Sequence, residues 1–122
     1  MAELIAAEIF PDISTLKIKG ATLSYGEINI APGPGYEPPT AYAILTDRGL
    51  AIAYLARTRW RMAGYYTVTH IESGAGFGFC SDFKDALKQL KKMLPLADWT
   101  LSKETLEADE SLRQKFKAAM AG

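Results

Sequence analysis

Apolar and polar residues alternate along much of the first half of the chain, and a period of two predicts β-strands. Leu16–Lys19 and Ala21–Ile30 show this pattern, and Tyr42–Thr46 and Leu50–Arg57 form the clearest predicted hairpin. Between the last two segments, Asp47–Gly49 predicts a hairpin turn in which Gly49 adopts a positive φ. Both faces of this hairpin are largely apolar, so we expect it to lie in the centre of a sheet.

Three further segments extend the predicted sheet. They are Arg57–Met62, Tyr65–Ile71, which is rich in β-branched and aromatic residues, and the glycine-thinned Ala75–Cys80. Glu72–Gly74 predicts a turn before the last of them. Gly26 interrupts an earlier strand and predicts a turn or a bulge.

The apolar period changes from strand to helix after Ser81. Ser81 is a suitable N-cap, and the apolar residues from Phe83 to Leu94 recur with helical spacing. Pro95 ends this predicted helix, and Trp99 is expected to close the core beyond it. The tail from Thr100 to Gly122 has weaker helical spacing, which predicts one or two further helices.

These elements predict an α+β fold in one domain spanning residues 1–122. We expect an antiparallel sheet of five to six strands between Leu16 and Cys80, followed by one or two C-terminal helices packed on it. The length of 122 residues and the hydrophobic content of 48% suffice for one core.

Charge and residue counts exclude several classes of protein. The 14 basic and 14 acidic residues cancel, which argues against a surface that is basic throughout. Cys80 is the only cysteine and His70 the only histidine, so one chain cannot form a disulfide, a two-histidine metal site or a usual structural zinc site. We therefore expect no cofactor and no metal. The N-terminus lacks the pattern of a signal peptide and no apolar run is long enough to span a membrane, so we expect a cytoplasmic protein that does not bind a membrane.

Two neighbouring segments carry the strongest candidate for a binding site. Arg57, Arg59 and Arg61 alternate, which places their guanidinium groups on one face of a strand, and arginine suits bidentate contact with phosphate or carboxylate. A solvated strand face whose arginines pair with nearby acids is the alternative. The loop Ala31–Thr40 holds four prolines and two glycines around Tyr36, and a loop of this length is often functional.

Other motifs have a structural interpretation beside the functional one. Lys84, Lys88, Lys91 and Lys92 lie opposite the apolar stripe of the helix, as on any amphipathic helix. Gly74, Gly76 and Gly78 precede the helix, but their spacing matches no phosphate-binding fingerprint and favours close packing. His70 lies near Glu72 and Ser73, although His70 and Ser73 face apart on a regular strand unless the turn brings them together. Cys80 is interpreted as a buried thiol, with a pKa that the adjacent helix N-terminus would lower somewhat.

One segment resembles known proteins. Val68, His70, Ser73, Gly74, the glycine- and phenylalanine-containing strand, Phe83, Ala86, Asp98 and Trp99 resemble short uncharacterised proteins of phages and prophages. This resemblance covers about a quarter of the chain, from Thr67 to Trp99. It implies a small accessory protein that binds rather than catalyses, of a kind that blocks a host defence component or sequesters its nucleotide signal.

The sequence therefore predicts a non-enzymatic binding protein whose partner is an acidic protein surface or a nucleotide. The predicted contacts are Arg57, Arg59 and Arg61, with Tyr36 and His70. A nucleic-acid-binding module that adds Lys84, Lys88 and Lys91 to the arginines is the first alternative. An enzyme that uses His70 with Glu72 or Ser73 is the second. A homo-oligomer is compatible with the sequence.

Overall fold

A computed structural model describes residues 1–30, 40–55 and 64–121 of the chain. Its centre is a four-stranded antiparallel sheet in which strands adjacent in sequence are adjacent in space. The strands are β1 (Leu23–Asn29), β2 (Thr40–Thr46), β3 (Leu50–Leu55) and β4 (Tyr65–His70). The α+β class and the antiparallel sheet are thus confirmed, whereas the described residues contain four strands and do not confirm five to six.

The predicted central hairpin is confirmed. In the pairing of β2 with β3, Ile44 lies opposite Ile52, and Gly49 adopts a φ of 91° in the connecting turn. A side chain could not replace the hydrogen of Gly49, because a Cβ there would overlap the carbonyl group of Trp99. The turn therefore depends on glycine both for its conformation and for its contact with the segment that follows the long helix.

Gly26 lies inside β1 without the expected turn or bulge. It pairs with Ala43 of β2 in an uninterrupted register. A Cβ at Gly26 would lie 2.9 Å from a methyl carbon of Leu45. The glycine thus makes room for the Leu45 side chain on the neighbouring strand.

Two of the other predicted strands do not form as continuous strands. Residues 16–19 pair with none of the described strands, although Leu16 and Ile18 pack against the core while Lys17 and Lys19 are exposed. Residues 75–80 pair with β4 only at two isolated bridges, Tyr66 with Cys80 and Thr69 with Gly76. These bridges differ in register by one residue, so the segment contains a bulge, and Gly78 nearby has a φ of 82°. The predicted strand Arg57–Met62 lies outside the described residues.

Four α-helices complete the described structure. They are α1 (Ala2–Ile9), α2 (Phe83–Met93), α3 (Lys103–Glu107) and α4 (Glu110–Ala121). Short 3₁₀ turns span Ile13–Thr15 and Leu94–Leu96. The two C-terminal helices confirm the prediction for the tail, while α1 was not predicted. Among the described residues, no helix has the length and apolar content needed to cross a bilayer.

The predicted helix begins one residue later than expected. Asp82, not Ser81, is the N-cap of α2, and its carboxylate accepts a hydrogen bond from the Asp85 N–H at 2.9 Å. The α-helix ends at Met93, and Pro95 lies in the 3₁₀ turn that follows. Aspartate and serine are similarly good N-caps, so the sequence pattern alone does not choose between adjacent candidates.

Both faces of the sheet contain buried residues, as predicted for the hairpin. On one face α1 packs against β1 and β2, and α2 packs against β3 and β4. The fully buried residues of this main core include Ile44, Ile52, Val68 and Leu90. The opposite face holds a second, smaller cluster made of Ile28, Ala41, Ala43, Ala51 and Ala53.

Candidate functional site

Four of the five predicted contact residues lie outside the described residues. Tyr36 falls between β1 and β2, and Arg57, Arg59 and Arg61 fall between β3 and β4. The anion-binding strip that they were expected to form stays a prediction.

His70, the fifth predicted contact residue, is a buried side chain with an internal partner for each ring nitrogen. It is 1% exposed at the end of β4. Its Nε2 lies 2.9 Å from the carbonyl oxygen of Trp99 and 3.0 Å from that of Leu101. Its Nδ1 lies 2.7 Å from the Ser73 Oγ. These contacts tie β4 to the chain that follows α2, so the ring is held inside the protein rather than offered to a partner surface.

The turn after β4 brings His70 and Ser73 together. The Gly74 N–H donates to the His70 carbonyl oxygen at 2.8 Å, and Gly74 has a φ of 76°. The strand alternation that would separate the two side chains therefore ends at His70. Of the two partners proposed for a catalytic His70, Ser73 contacts the ring, and the His70 hydrogen bonds do not include Glu72.

The glycine-rich segment is used for close packing against β4. A Cβ at Gly76 would lie 3.0 Å from the Thr67 Oγ1. The same hydroxyl donates a hydrogen bond to the Gly78 carbonyl oxygen at 2.6 Å. The packing interpretation is thus supported for Gly76, with a threonine hydroxyl as the close neighbour, whereas nothing lies within 4 Å of a Cβ at Gly78.

Cys80 has the opposite electrostatic environment from the one expected. Burial raises the pKa of its thiol, and the carboxylates of Asp85 and Asp82 raise it further. The expected lowering by the helix N-terminus is wrong because the helix begins with these two carboxylates. The Sγ lies 3.5 Å from the Gln89 Oε1, and the residue is half-buried. This thiol is a poor nucleophile.

The residues brought together by the fold form a different cationic site, which we call the basic groove. It is a concave space of about 560 Å³. Four of its lining residues are cationic and exposed, namely Lys17, Lys19, Arg48 and Lys91. The rest of the described lining is Ile18, Gly20, Leu94 and Pro95, so no described carboxylate lines it.

The four cations of the basic groove come from three different local structures. Lys17 and Lys19 extend from the segment before β1, Arg48 from the turn between β2 and β3, and Lys91 from the last turn of α2. One guanidinium nitrogen of Arg48 donates to the Gly20 carbonyl oxygen at 3.1 Å, which orients the side chain. Among the described residues, none of the four cations forms an ion pair within 4.0 Å.

Among the described acids, Asp98 interacts electrostatically with Arg48 of this groove. Hydrogen bonds from the hydroxyl and the backbone N–H of Thr100 lower the pKa of Asp98, and Arg48 lowers it further. The Asp98 carboxylate already accepts hydrogen bonds from Thr100, and Asp98 does not line the groove. The cations remain available to an external anion.

Sequence reasoning found only Lys91 of these four residues. The alternation of Leu16, Lys17, Ile18 and Lys19 was interpreted as a strand and not as part of a site, and Arg48 was interpreted as a turn residue. The sequence did contain a signal for this site, because Lys17, Lys19 and the turn residue Arg48 are all cations that had to lie at the protein surface. Their proximity depends on the tertiary fold, which the chain order does not reveal.

Comparisons with other proteins give no relative. No family model, no curated protein and no solved structure matches this chain. Among the described residues, no group of three or more His, Cys, Asp or Glu side chains could hold a metal ion. The function is therefore argued from the residues of the site.

Proposed function

We propose that this protein is a non-enzymatic binding protein, and that the basic groove holds the phosphate groups of a nucleotide. The observation that carries this proposal is the convergence of Lys17, Lys19, Arg48 and Lys91 on one groove whose described lining contains no carboxylate. Four positive charges that form no ion pair among the described residues repel one another, and a bound polyanion relieves that repulsion. Lysine and arginine are the usual protein ligands of phosphate.

The size of the groove favours a nucleotide over an acidic protein surface. Small-molecule sites have volumes of about 300–1,000 Å³, and the groove of about 560 Å³ lies in that range. A stable protein interface buries about 800 Å² on each partner, which requires a larger surface than these lining residues provide. The apolar groups of Ile18, Leu94 and Pro95 offer a surface for the nucleoside.

The biological setting in this proposal is that of a phage accessory protein of the anti-defence type. The resemblance of Thr67–Trp99 to short phage proteins implies that setting, and the basic groove is where a nucleotide signal would be sequestered. Arg57, Arg59, Arg61 and Tyr36 remain proposed contacts to an anionic partner. We further propose that the protein acts in the cytoplasm, where such nucleotides occur, and that two copies can associate.

Isothermal titration calorimetry with ATP and with pyrophosphate tests the proposal. The variant K17Q/K19Q/R48Q removes three groove cations, and we expect at least a tenfold loss of affinity, since one charge-assisted hydrogen bond contributes about 1.5–3 kcal/mol. The matched control is R113Q/K115Q/K117Q, which changes the net charge equally at exposed positions outside the groove lining. Equal losses in both variants would show a net-charge effect and contradict a localised site.

The predicted arginine strip has its own variant in the same experiment. R57Q/R59Q/R61Q should leave the affinity for pyrophosphate nearly unchanged if the groove alone holds the phosphates. If this variant loses pyrophosphate binding while K17Q/K19Q/R48Q keeps it, the arginine strip and not the basic groove holds the phosphates. A protein that binds poly-glutamate but neither ATP nor pyrophosphate would instead favour an acidic protein surface as the partner.

A nucleic-acid-binding module is the second candidate function, and one observation favours it. Lys84, Lys88 and Lys91 are all exposed on α2, and Lys91 also lines the basic groove. A strip that continues from the groove along the helix would follow a phosphate backbone. This candidate predicts that the affinity for single-stranded oligonucleotides falls steeply with salt and that K84Q/K88Q weakens it as much as K17Q/K19Q.

A further inference from the structure

A second cavity lies between the end of β4 and the C-terminal helices, and Trp99 lines it. We call it the aromatic pocket. Its volume is about 380 Å³. Most of its wall is apolar and comes from Phe77, Trp99, Leu106, Leu112 and Phe116. The pocket shares no lining residue with the basic groove.

The aromatic wall is rigid because its rings support one another. Phe77 packs edge-to-face with Trp99 at 5.6 Å between ring centroids, and it also contacts Phe116 at 5.7 Å. The Trp99 indole N–H donates to the Met93 carbonyl oxygen at 2.8 Å, which fixes the indole at the end of α2. A ligand would therefore meet a preformed apolar surface.

His70 is buried and Ser73 half-buried where they line the pocket, and their hydrogen bonds define what a ligand can offer. The His70 Nε2 faces two carbonyl oxygens, so it carries the ring hydrogen, and in a neutral imidazole Nδ1 then accepts from the Ser73 hydroxyl. The Ser73 Oγ also accepts from the Ala75 N–H at 3.2 Å. A hydroxyl has one hydrogen and two lone pairs. Ser73 thus keeps one accepting lone pair and no hydrogen to donate.

The charged side chains that line the pocket are two cations and one acid, and the second cation pairs with an acid outside the lining. Lys103 and Glu107 form an exposed ion pair at 3.8 Å, and Arg113 pairs with Glu110 at 3.6 Å. Lys103, Glu107 and Arg113 all line the pocket. Because each cation has an acidic partner, this mouth favours neither a cationic nor an anionic ligand.

From these observations we infer that the aromatic pocket is a binding site for a neutral, mainly apolar small molecule that carries one hydroxyl or N–H group. The apolar body packs against Phe77, Trp99 and Phe116, and the donor group gives its hydrogen to the Ser73 Oγ. An engineered cavity of about 150 Å³ holds benzene, so this larger space suits a body of two fused rings. The site is independent of the proposed nucleotide site.

Amide NMR titration with 2-naphthol, a neutral two-ring phenol, tests this inference. We expect saturable shifts centred on Phe77, Trp99 and Phe116. The methyl ether of the same compound lacks the hydrogen and should bind about three- to tenfold more weakly, which is the effect of one hydrogen bond. Naphthoate replaces the donor by a carboxylate and should also bind more weakly than naphthol.

Two variants separate the apolar wall from the polar anchor. L106W places a large ring at a half-buried position of the pocket and should abolish the shifts, whereas L4W, at a leucine that is 69% exposed on α1, should not. S73A should reduce the affinity for naphthol to that for its methyl ether. If L106W does not fold, nuclear Overhauser effects between naphthol protons and the methyl groups of Leu106 and Leu112 in the wild-type protein replace it.

Three results would overturn the inference. They are the absence of saturable shifts up to about 1 mM naphthol, binding that L106W leaves unchanged, and tighter binding of naphthoate than of naphthol. The first two would show that the pocket does not hold an apolar ligand, and the third that the mouth selects an anion. ATP titrated into the same sample should leave naphthol binding unchanged, so a failure here is distinguishable from a failure of the basic groove.

Discussion

The imidazole Nε2 of His70 lies 2.9 Å from the carbonyl oxygen of Trp99, across a separation of 29 residues in the chain. Trp99 in turn donates its indole hydrogen to the Met93 carbonyl oxygen. These two contacts join the end of β4, the end of α2 and the segment leading to α3. The only histidine of the chain thus holds together the region from which the aromatic pocket is built.

Replacing His70 by leucine should destabilise the protein by about 2–4 kcal/mol. Leucine has a similar volume, but it leaves the carbonyl groups of Trp99 and Leu101 and the hydroxyl of Ser73 without their hydrogen-bond partner. Urea unfolding measures the change, with S73A as the control that removes one of the three contacts and should cost about 1 kcal/mol. An H70L protein as stable as the wild type would contradict the structural role of the ring.

A comparison of two glycines should separate backbone strain from steric overlap. Gly49 and Gly78 both have a positive φ, of 91° and 82°. A Cβ at Gly49 would lie 2.6 Å from the Thr100 nitrogen and closer to the Trp99 carbonyl, whereas nothing lies within 4 Å of one at Gly78. G78A should therefore cost about 1–2 kcal/mol from the conformation alone, and G49A should cost about 1–3 kcal/mol more.

Thermal and urea unfolding of both variants measure this difference. Equal losses of stability would indicate that the turn moves away from Trp99 without cost. In that case the contact between the hairpin turn and the segment after α2 would not contribute to the fold.

The part of this fold that could be predicted is the part governed by local periodicity. Ile44 and Ile52 alternate with smaller residues on a period of two, and the apolar stripe of α2 repeats at helical spacing, so both elements were predicted. Helix α1 was not predicted, because its eight residues pack only through tertiary contacts with β1 and β2. Lys17 and Lys19 have the pattern of a strand, but no neighbouring strand pairs with them.

The candidate sites were less predictable than the fold because they depend on contacts between distant segments. Arg48 approaches Gly20 only when the hairpin turn folds back over the segment before β1. His70 meets Ser73 because the chain turns at Gly74, which breaks the alternation assumed from a strand. The first pairing follows from no propensity or period, whereas the second depended on how the predicted turn at Glu72–Gly74 bends, which the residues alone left open.

Asp98 and Asp12 should make the stability depend on acid pH. Hydrogen bonds from Thr100 lower the pKa of Asp98, and hydrogen bonds from Ser14 lower that of Asp12, both from a usual value of 3.8. A carboxyl whose pKa is lower in the folded than in the unfolded state contributes stability above the unfolded pKa, and this contribution is lost as the pH falls through the folded pKa. We expect the urea midpoint to decrease as the pH falls below about 3.8.

The variants D98N and D12N test which carboxyls cause this decrease. Asparagine keeps an oxygen that can accept the same hydrogen bonds but does not titrate. Each variant should reduce the fall of the urea midpoint at acid pH. The double variant should reduce it by the sum of the two single effects, because the two carboxyls share no hydrogen-bond partner. If the urea midpoint of the double variant falls at acid pH as much as that of the wild type, other carboxyls cause the fall.

Cys80 should react slowly with alkylating reagents, and Asp85 should be one cause. Burial and then the Asp85 carboxylate raise the pKa of the thiol, and the thiolate is the reactive form. At a fixed, mildly alkaline pH, iodoacetamide should therefore modify D85N faster than the wild type, while D109N, at the start of α4, should react at the wild-type rate. Because Cys80 is the only cysteine, the mass of the intact protein measures the rate directly. A wild-type rate equal to that of glutathione, or no acceleration in D85N, would show that this environment does not suppress the thiolate form of Cys80.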